Sequence, residues 1–131
     1  MPESAARLQR LLTEKLGDCH PADVEQKLDE IQTLRNSALQ DDQTRPVFAV
    51  LGNETRYRLA RVLTVSEEEM CVCELEPIVD VSASAVSHAL ADLVEAGLLT
   101  RRKDGNWRYY QTTELADSLF STADQLATTN E

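Results

Sequence analysis

Apolar positions recur at three- and four-residue intervals along most of the chain and switch to alternation once, around residue 105. Ala5, Leu8, Leu11, Leu12 and Leu16 form one stripe, which predicts a helix from Ser4 to Leu16, stopped by Gly17. Pro21 then stands at a helix start, and Val24, Leu28, Ile31 and Leu34 carry a second stripe as far as Leu39. Residues 40–46 are polar and without period, the pattern of a linker. Val47, Val50 and Leu51 predict a short third helix punctuated by Gly52, and Asn53 caps a fourth that buries Leu59, Val62 and Leu63. The run Glu67 to Glu69 reads as a solvated loop or a helix N-terminus. Cys71 to Val79 is expected to be the next short helix, with Leu75, Ile78 and Val79 inward. Asp80-Val81 turns the chain. Ser82 caps a helix whose apolar face is Val86, Leu90, Leu93 and Val94 and which Gly97 stops. Arg101 to Thr112 alternates around Asp104-Gly105, a dipeptide of two-residue hairpin turns, so residue 101 should pair with 108 and 102 with 107. Trp107 and Tyr109 would then pack this hairpin onto the core. A last helix, Glu114 to Leu126, shows Leu115, Leu119, Ala123 and Leu126.

Helix, turn, capped helix and basic hairpin in that order predict a mostly α fold, a winged helix-turn-helix with a small β-hairpin wing. Three segments follow: an N-terminal helical arm over 1–45, the DNA-binding unit over 46–112, and a C-terminal dimerisation helix with its tail over 113–131. The stripes Val24-Leu28-Ile31 and Leu115-Leu119-Leu126 are more apolar surface than so small a domain can bury alone, which predicts a homodimer.

Composition changes this picture in two places. A net charge of −10 is unusual for a protein that meets DNA phosphates. Residues 81–112, however, carry four basic against three acidic side chains, and every other part of the chain is acidic. With only Lys15, Lys27 and Lys103 as lysines, the composition resembles that of proteins from salt-loving organisms. At ~1 M salt the Debye length is only ~3 Å, which screens acidic repulsion from DNA. An ordinary acidic surface stays open as the alternative. No apolar run approaches the ~20 residues that span a bilayer, and Met1 to Leu16 is amphipathic rather than signal-like, so no membrane contact and a cytoplasmic location are expected. Two distant histidines and no nucleophile-base set leave nothing for an enzyme to work with.

The chemistry sits on two motifs. Ser82, Ser84, Ser87, His88 and Ala91 make a small polar helix face that fits a major groove, where bulkier side chains would hold the helix off the base edges. Arg101, Arg102, Lys103 and Arg108 on the wing suit phosphate or minor-groove contact. The second motif is Met70-Cys71-Val72-Cys73-Glu74-Leu75. Thiols at i and i+2 lie ~200° apart on a regular helix, so one ion holds both only if the chain is extended or distorted at the helix start. Soft thiolates select thiophilic species such as As(III), Sb(III), Cd(II), Pb(II) or Zn(II); the plain alternative is a pair of small core hydrophobes. Cys19 is the one further thiol, giving a three-sulfur set for As(III) or Sb(III), or Cys₃His with His20 for zinc or cadmium.

Residues 47–112 resemble the ArsR-type metal-responsive repressors. The resemblance is carried by Leu51-Gly52-Asn53-Glu54-Thr55-Arg56-Tyr57-Arg58, the Cys71-Val72-Cys73-Glu74-Leu75 box, Ser82 to Leu90 with Val86-Ser87-His88, and the wing end Arg108-Tyr109-Tyr110. It implies a homodimer that represses its operator when free and leaves double-stranded DNA when As(III), Sb(III) or a soft divalent metal binds, without a constitutive cofactor. Glu76 stands where arsenic sensors of this type can carry a third cysteine, which makes Cys19 the substitute. Glu114 to Leu126 lacks histidine, so the zinc site that some relatives build between C-terminal helices is not expected. Ala83 and Ala89 replace bulkier polar residues. A thiol redox switch with Cys19 as resolving thiol, and a protein-interaction module that never binds DNA, are the alternatives.

Overall fold

The computed structural model describes residues 2–40 and 42–129, which form two compact units, Met1–Asp42 and Gln43–Glu131. The first holds α1 (Pro2–Leu16) and α2 (Pro21–Leu39). Gly17 ends α1 at φ 79°, a left-handed stop that costs glycine nothing, and Pro21 opens α2 while the His20 N–H donates to the Asp23 carboxylate at 2.9 Å. Leu12 is buried, whereas no residue of α2 is.

In the second unit the chain runs α3 (Arg45–Leu51), α4 (Glu54–Ser66), β1 (Met70–Cys71), α5 (Val72–Leu75), a 3₁₀ turn (Glu76–Ile78), α6 (Ala83–Glu95), β2 (Leu99–Asp104), β3 (Trp107–Thr112) and α7 (Glu114–Thr129). Asn53 caps α4 by accepting the Arg56 N–H at 3.0 Å, as its sequence position predicts. The Arg56 guanidinium turns back to the Val50 carbonyl at 2.7 Å and faces Asp92 at 3.6 Å, which fastens the end of α3 to α6. Leu59, Leu63, Leu75, Leu90 and Leu93 are fully buried at the centre of the core, and Ala116 and Phe120 bring α7 onto it. Val62 is only half-buried; Ala60 takes the interior position instead.

Three expectations need correction. Cys71 to Val79 is not one helix: Cys71 belongs to a strand, α5 is a single turn, and Pro77 within the 3₁₀ turn lacks the N–H that would continue an α-helix. The sheet has three antiparallel strands in the order β1-β3-β2, Met70 pairing Tyr110 and Cys71 pairing Tyr109. The hairpin register also differs, with Arg101 opposite Tyr110, Arg102 opposite Tyr109 and Asp104 opposite Trp107. The turn is therefore Gly105-Asn106. Only Gly105, at φ 62°, is left-handed, the pattern of a II′ turn with glycine first. A turn on Asp104-Gly105 would have forced Asp104 into that region. Finally, Tyr110 packs into the core at 3% exposure, while Trp107 stays 55% exposed and Tyr109 half-buried.

Candidate nucleic-acid interface and thiol site

The segment Val72–Ile78 meets α6 at 109°, within the range of helix-turn-helix pairs. Ser82 caps α6 through its Oγ, which accepts the Ala85 N–H at 3.1 Å. At the far end Gly97, at φ 82°, closes a Schellman motif: its N–H donates to Val94 and the Leu98 N–H to Leu93, both at 3.0 Å. With Val86, Ala89, Leu90 and Leu93 buried, the outer face presents Ser84, Ser87, His88 and Ala91 to solvent. Ala89 lies in the core, so its small size concerns packing; Ala83 is exposed in the first turn.

On the wing, Arg101, Lys103 and Arg108 are exposed, and among the described residues none of them forms an ion pair. Arg102 is different. Its Nε donates to Glu69 Oε2 at 3.1 Å and its Nη2 to Oε1 at 2.6 Å, Nη1 lies 3.8 Å from Asp104, and the guanidinium sits 4.7 Å from the centre of the Tyr109 ring. The hydrogen bond from Arg102 holds the Glu69 carboxyl below the usual carboxylate range. Because that folded-state value is lowered, the pair contributes above the ordinary carboxylate pKa and is lost only as pH falls through the lowered one. Free wing cations predict backbone contact: Arg101→Ala should weaken all DNA sequences about equally and lower the salt slope by ~1, read by fluorescence anisotropy at several salt concentrations. A loss confined to one base position would contradict that role.

The thiol pair owes its geometry to β1. Cys71 ends the strand with extended backbone, φ −73° and ψ 150°, and serves as N-cap of α5, so the angular separation expected on a helix does not arise. The two sulfurs lie 2.9 Å apart, the Cys73 N–H points at the Cys71 sulfur at 3.4 Å, and the Cys71 N–H donates to Glu74 Oε1 at 2.9 Å. This is a capping box with cysteine in the place of serine, and its signal, a Glu three residues after Cys71, was present in the sequence. Cys71 is buried and Cys73 exposed. The hydrogen bond that Cys73 donates to Cys71 pushes the Cys73 thiol up, and burial and the neighbouring Cys71 and Glu74 act in the same direction. A cavity of about 270 Å³ joins Cys71 and Cys73 to Ser87 of α6 and to Trp107 and Arg108 of the wing.

Cys19, half-buried in the first unit, points its thiol at the His20 carbonyl at 3.7 Å, and His20 Nε2 lies 3.3 Å from Asp18. Among the described residues no three His, Cys, Asp or Glu side chains are grouped closely enough to hold a metal ion. Two converging soft donors nonetheless fit a thiophilic species and exclude a dedicated Mg or Ca site. No single helix among the described residues is long and apolar enough to cross a membrane.

Bacterial regulatory proteins of the arsR family match this chain over residues 55–101. A Halobacterium salinarum protein, provisionally named arsenical resistance operon repressor ArsR, is 51% identical over 120 residues, covering 88% of this chain and 92% of the relative. The cadmium resistance transcriptional regulatory protein CadC of Listeria innocua is 38% identical over 63 residues, or 48% of this chain and 52% of that one. Among solved structures, the homodimeric winged helix-turn-helix DNA-binding domain of a Mycobacterium bovis protein superposes with a TM-score of 0.60 at 26% identity, covering 71% of this chain and 84% of that domain.

Proposed function

The chain belongs to the arsR family of bacterial regulatory proteins, DNA-binding winged-helix repressors rather than enzymes, and on that premise we propose that it holds its operator as a homodimer and releases it on binding As(III) or Sb(III) at Cys71 and Cys73. Cd(II), Zn(II) or Pb(II) are the alternative effectors, and in this proposal Cys19 of the partner subunit reaches across the dimer to supply the third thiolate. Relatives named for arsenical and cadmium resistance support this effector class. The observation that carries the proposal is the thiol pair itself: two sulfurs 2.9 Å apart, at the cap of the first helix of the helix-turn-helix and beside its reading face. Free thiols stay reduced in the cytoplasm, where such a repressor acts.

The mechanism starts from this chain's own groups. In the apo dimer two copies of α6, one DNA turn or ~34 Å apart, enter successive major grooves, Ser82, Ser84, Ser87 and His88 facing DNA, while the wings grip flanking phosphates. On binding arsenite, As(OH)₃, Cys71 and Cys73 would each replace one hydroxide, the thiol proton leaving with it as water, so that Cys73 no longer donates a hydrogen bond to Cys71. The cap of α5 then reorganises, and with it the support of α6. A coupling of ~1 to 3 kcal/mol lowers operator affinity ~5- to 150-fold.

Anisotropy with a duplex from upstream of the protein's own gene, at high salt and with increasing arsenite, tests the proposal. Binding without arsenite and release with it are expected. No binding at any salt would favour a protein-interaction module, and binding that arsenite leaves unchanged would remove the effector. The closeness of the sulfurs also admits a thiol redox switch. A mass spectrum showing an intramolecular disulfide, with no metalloid, would reverse the preference.

Dimerisation rests on apolar residues that the monomer leaves outside, Leu115 at 43% and Leu126 at 60% exposure on one face of α7. Phe120 and Ala116 of the same helix are core residues, so deleting α7 would damage the fold. The paired substitution Leu115→Asp and Leu126→Asp should instead give folded monomers by sedimentation. A persisting dimer would move the interface elsewhere.

A further inference from the structure

We infer that Glu69 is an internal competitor for operator phosphate, which holds Arg102 back from DNA and which the thiol site controls through β1. The inference rests on the reading of the chain as an operator-binding repressor and adds a regulatory contact to it. Of the four wing cations, Arg102 alone has its guanidinium fork filled, with Nε and Nη2 both donating to the Glu69 carboxylate. A carboxylate presents the same planar pair of acceptors that a guanidinium seeks on a phosphate, so the two are exchangeable partners for one fork. The pair is also cheap to exchange, because both side chains are partly exposed, at 53% and 37%, and exposed pairs are weak.

Its connection to the thiols is short and closed. Glu69 precedes β1 by one residue and Cys71 ends that strand. Cys71 pairs with Tyr109, whose ring lies under the Arg102 guanidinium, and Arg102 is the cross-strand partner of Tyr109 in β2. Cys71, Tyr109, Arg102 and Glu69 therefore form one circuit within a three-stranded sheet. An effector bound across Cys71 and Cys73 reorganises the α5 side of Cys71 while fixing its β1 side, which keeps Glu69 on Arg102 and so leaves the wing one phosphate contact short.

The experiment compares Glu69→Gln with Glu68→Gln, each alone and combined with Arg102→Ala, by anisotropy on the upstream duplex across a salt series. Gln keeps the shape of Glu, and Glu68 is an exposed neighbour with no ion pair among the described residues. Glu69→Gln should tighten apo binding about three- to fivefold and steepen the salt slope by ~1, while Glu68→Gln changes affinity less than about twofold. In the Arg102→Ala background Glu69→Gln should have no effect, and the arsenite-driven loss of affinity should be smaller in Glu69→Gln than in the parent. Equal tightening by both glutamines, or tightening that survives Arg102→Ala, would reduce Glu69 to general electrostatics and overturn the inference. If the parent itself fails to bind the duplex, the repressor reading falls, and the competitor with it; if the parent binds and only the Glu69 pattern fails, the repressor reading stands.

Discussion

Cys71→Ser and Cys73→Ser proteins should bind the operator as tightly as the parent and ignore arsenite. The effect on release is complete because either variant loses the adjacent sulfur pair at the cap of α5, so a metalloid held by Cys19 and the one remaining thiolate no longer acts on that cap, whereas the effect on folding is small. At position 71 the side chain caps α5, accepting the Cys73 N–H, and serine is among the preferred residues for that role, where alanine would forfeit about 1 kcal/mol. At position 73 the side chain is exposed. Anisotropy with and without arsenite checks both variants, and arsenite release that survives in either one would move the effector site away from the pair. Cys19→Ser should weaken the response without removing it, since two thiolates and a small exogenous ligand still hold arsenic. X-ray absorption on the arsenic-loaded protein should count three sulfurs; two sulfurs and an oxygen would strike Cys19 from the site.

Leu90→Ala should cost about 2 to 5 kcal/mol of stability, read from the urea midpoint of the folded protein. Leu90 is fully buried on the inner face of α6, where that helix packs on α4 and β2. Small domains hold only about 5 to 15 kcal/mol in total, so operator binding at 37 °C should fall with the folded fraction. A cost under about 1 kcal/mol would mean that the core refills around the lost side chain and that α6 is anchored elsewhere.

Much of the candidate interface's framework was legible in the sequence. Asn53, Ser82 and Gly97 act at the helix ends where their residue types place them, because a cap is closed by hydrogen bonds within a few residues of the chain. The polar face of α6 and the cationic wing follow from helical and strand periodicity in the same way. The helix over Cys71 to Val79 was the wrong expectation for a related reason: two-residue β1 is too short to show a period, and its two members are strand only because Tyr109 and Tyr110 lie opposite.

Local hydrogen bonding and side-chain period therefore specify this protein's helices, its caps, its hairpin and the presence of two thiols ahead of a reading helix. The packed sheet settles the rest. It selects Gly105-Asn106 as the turn, puts Tyr110 rather than Trp107 in the core, draws Cys71 out of the helix so that two sulfurs meet, and brings Glu69 to an arginine 33 residues away. Each of these outcomes depends on a partner far along the chain, and the free energy of a strand pair or an ion pair exists only once that partner has been brought alongside.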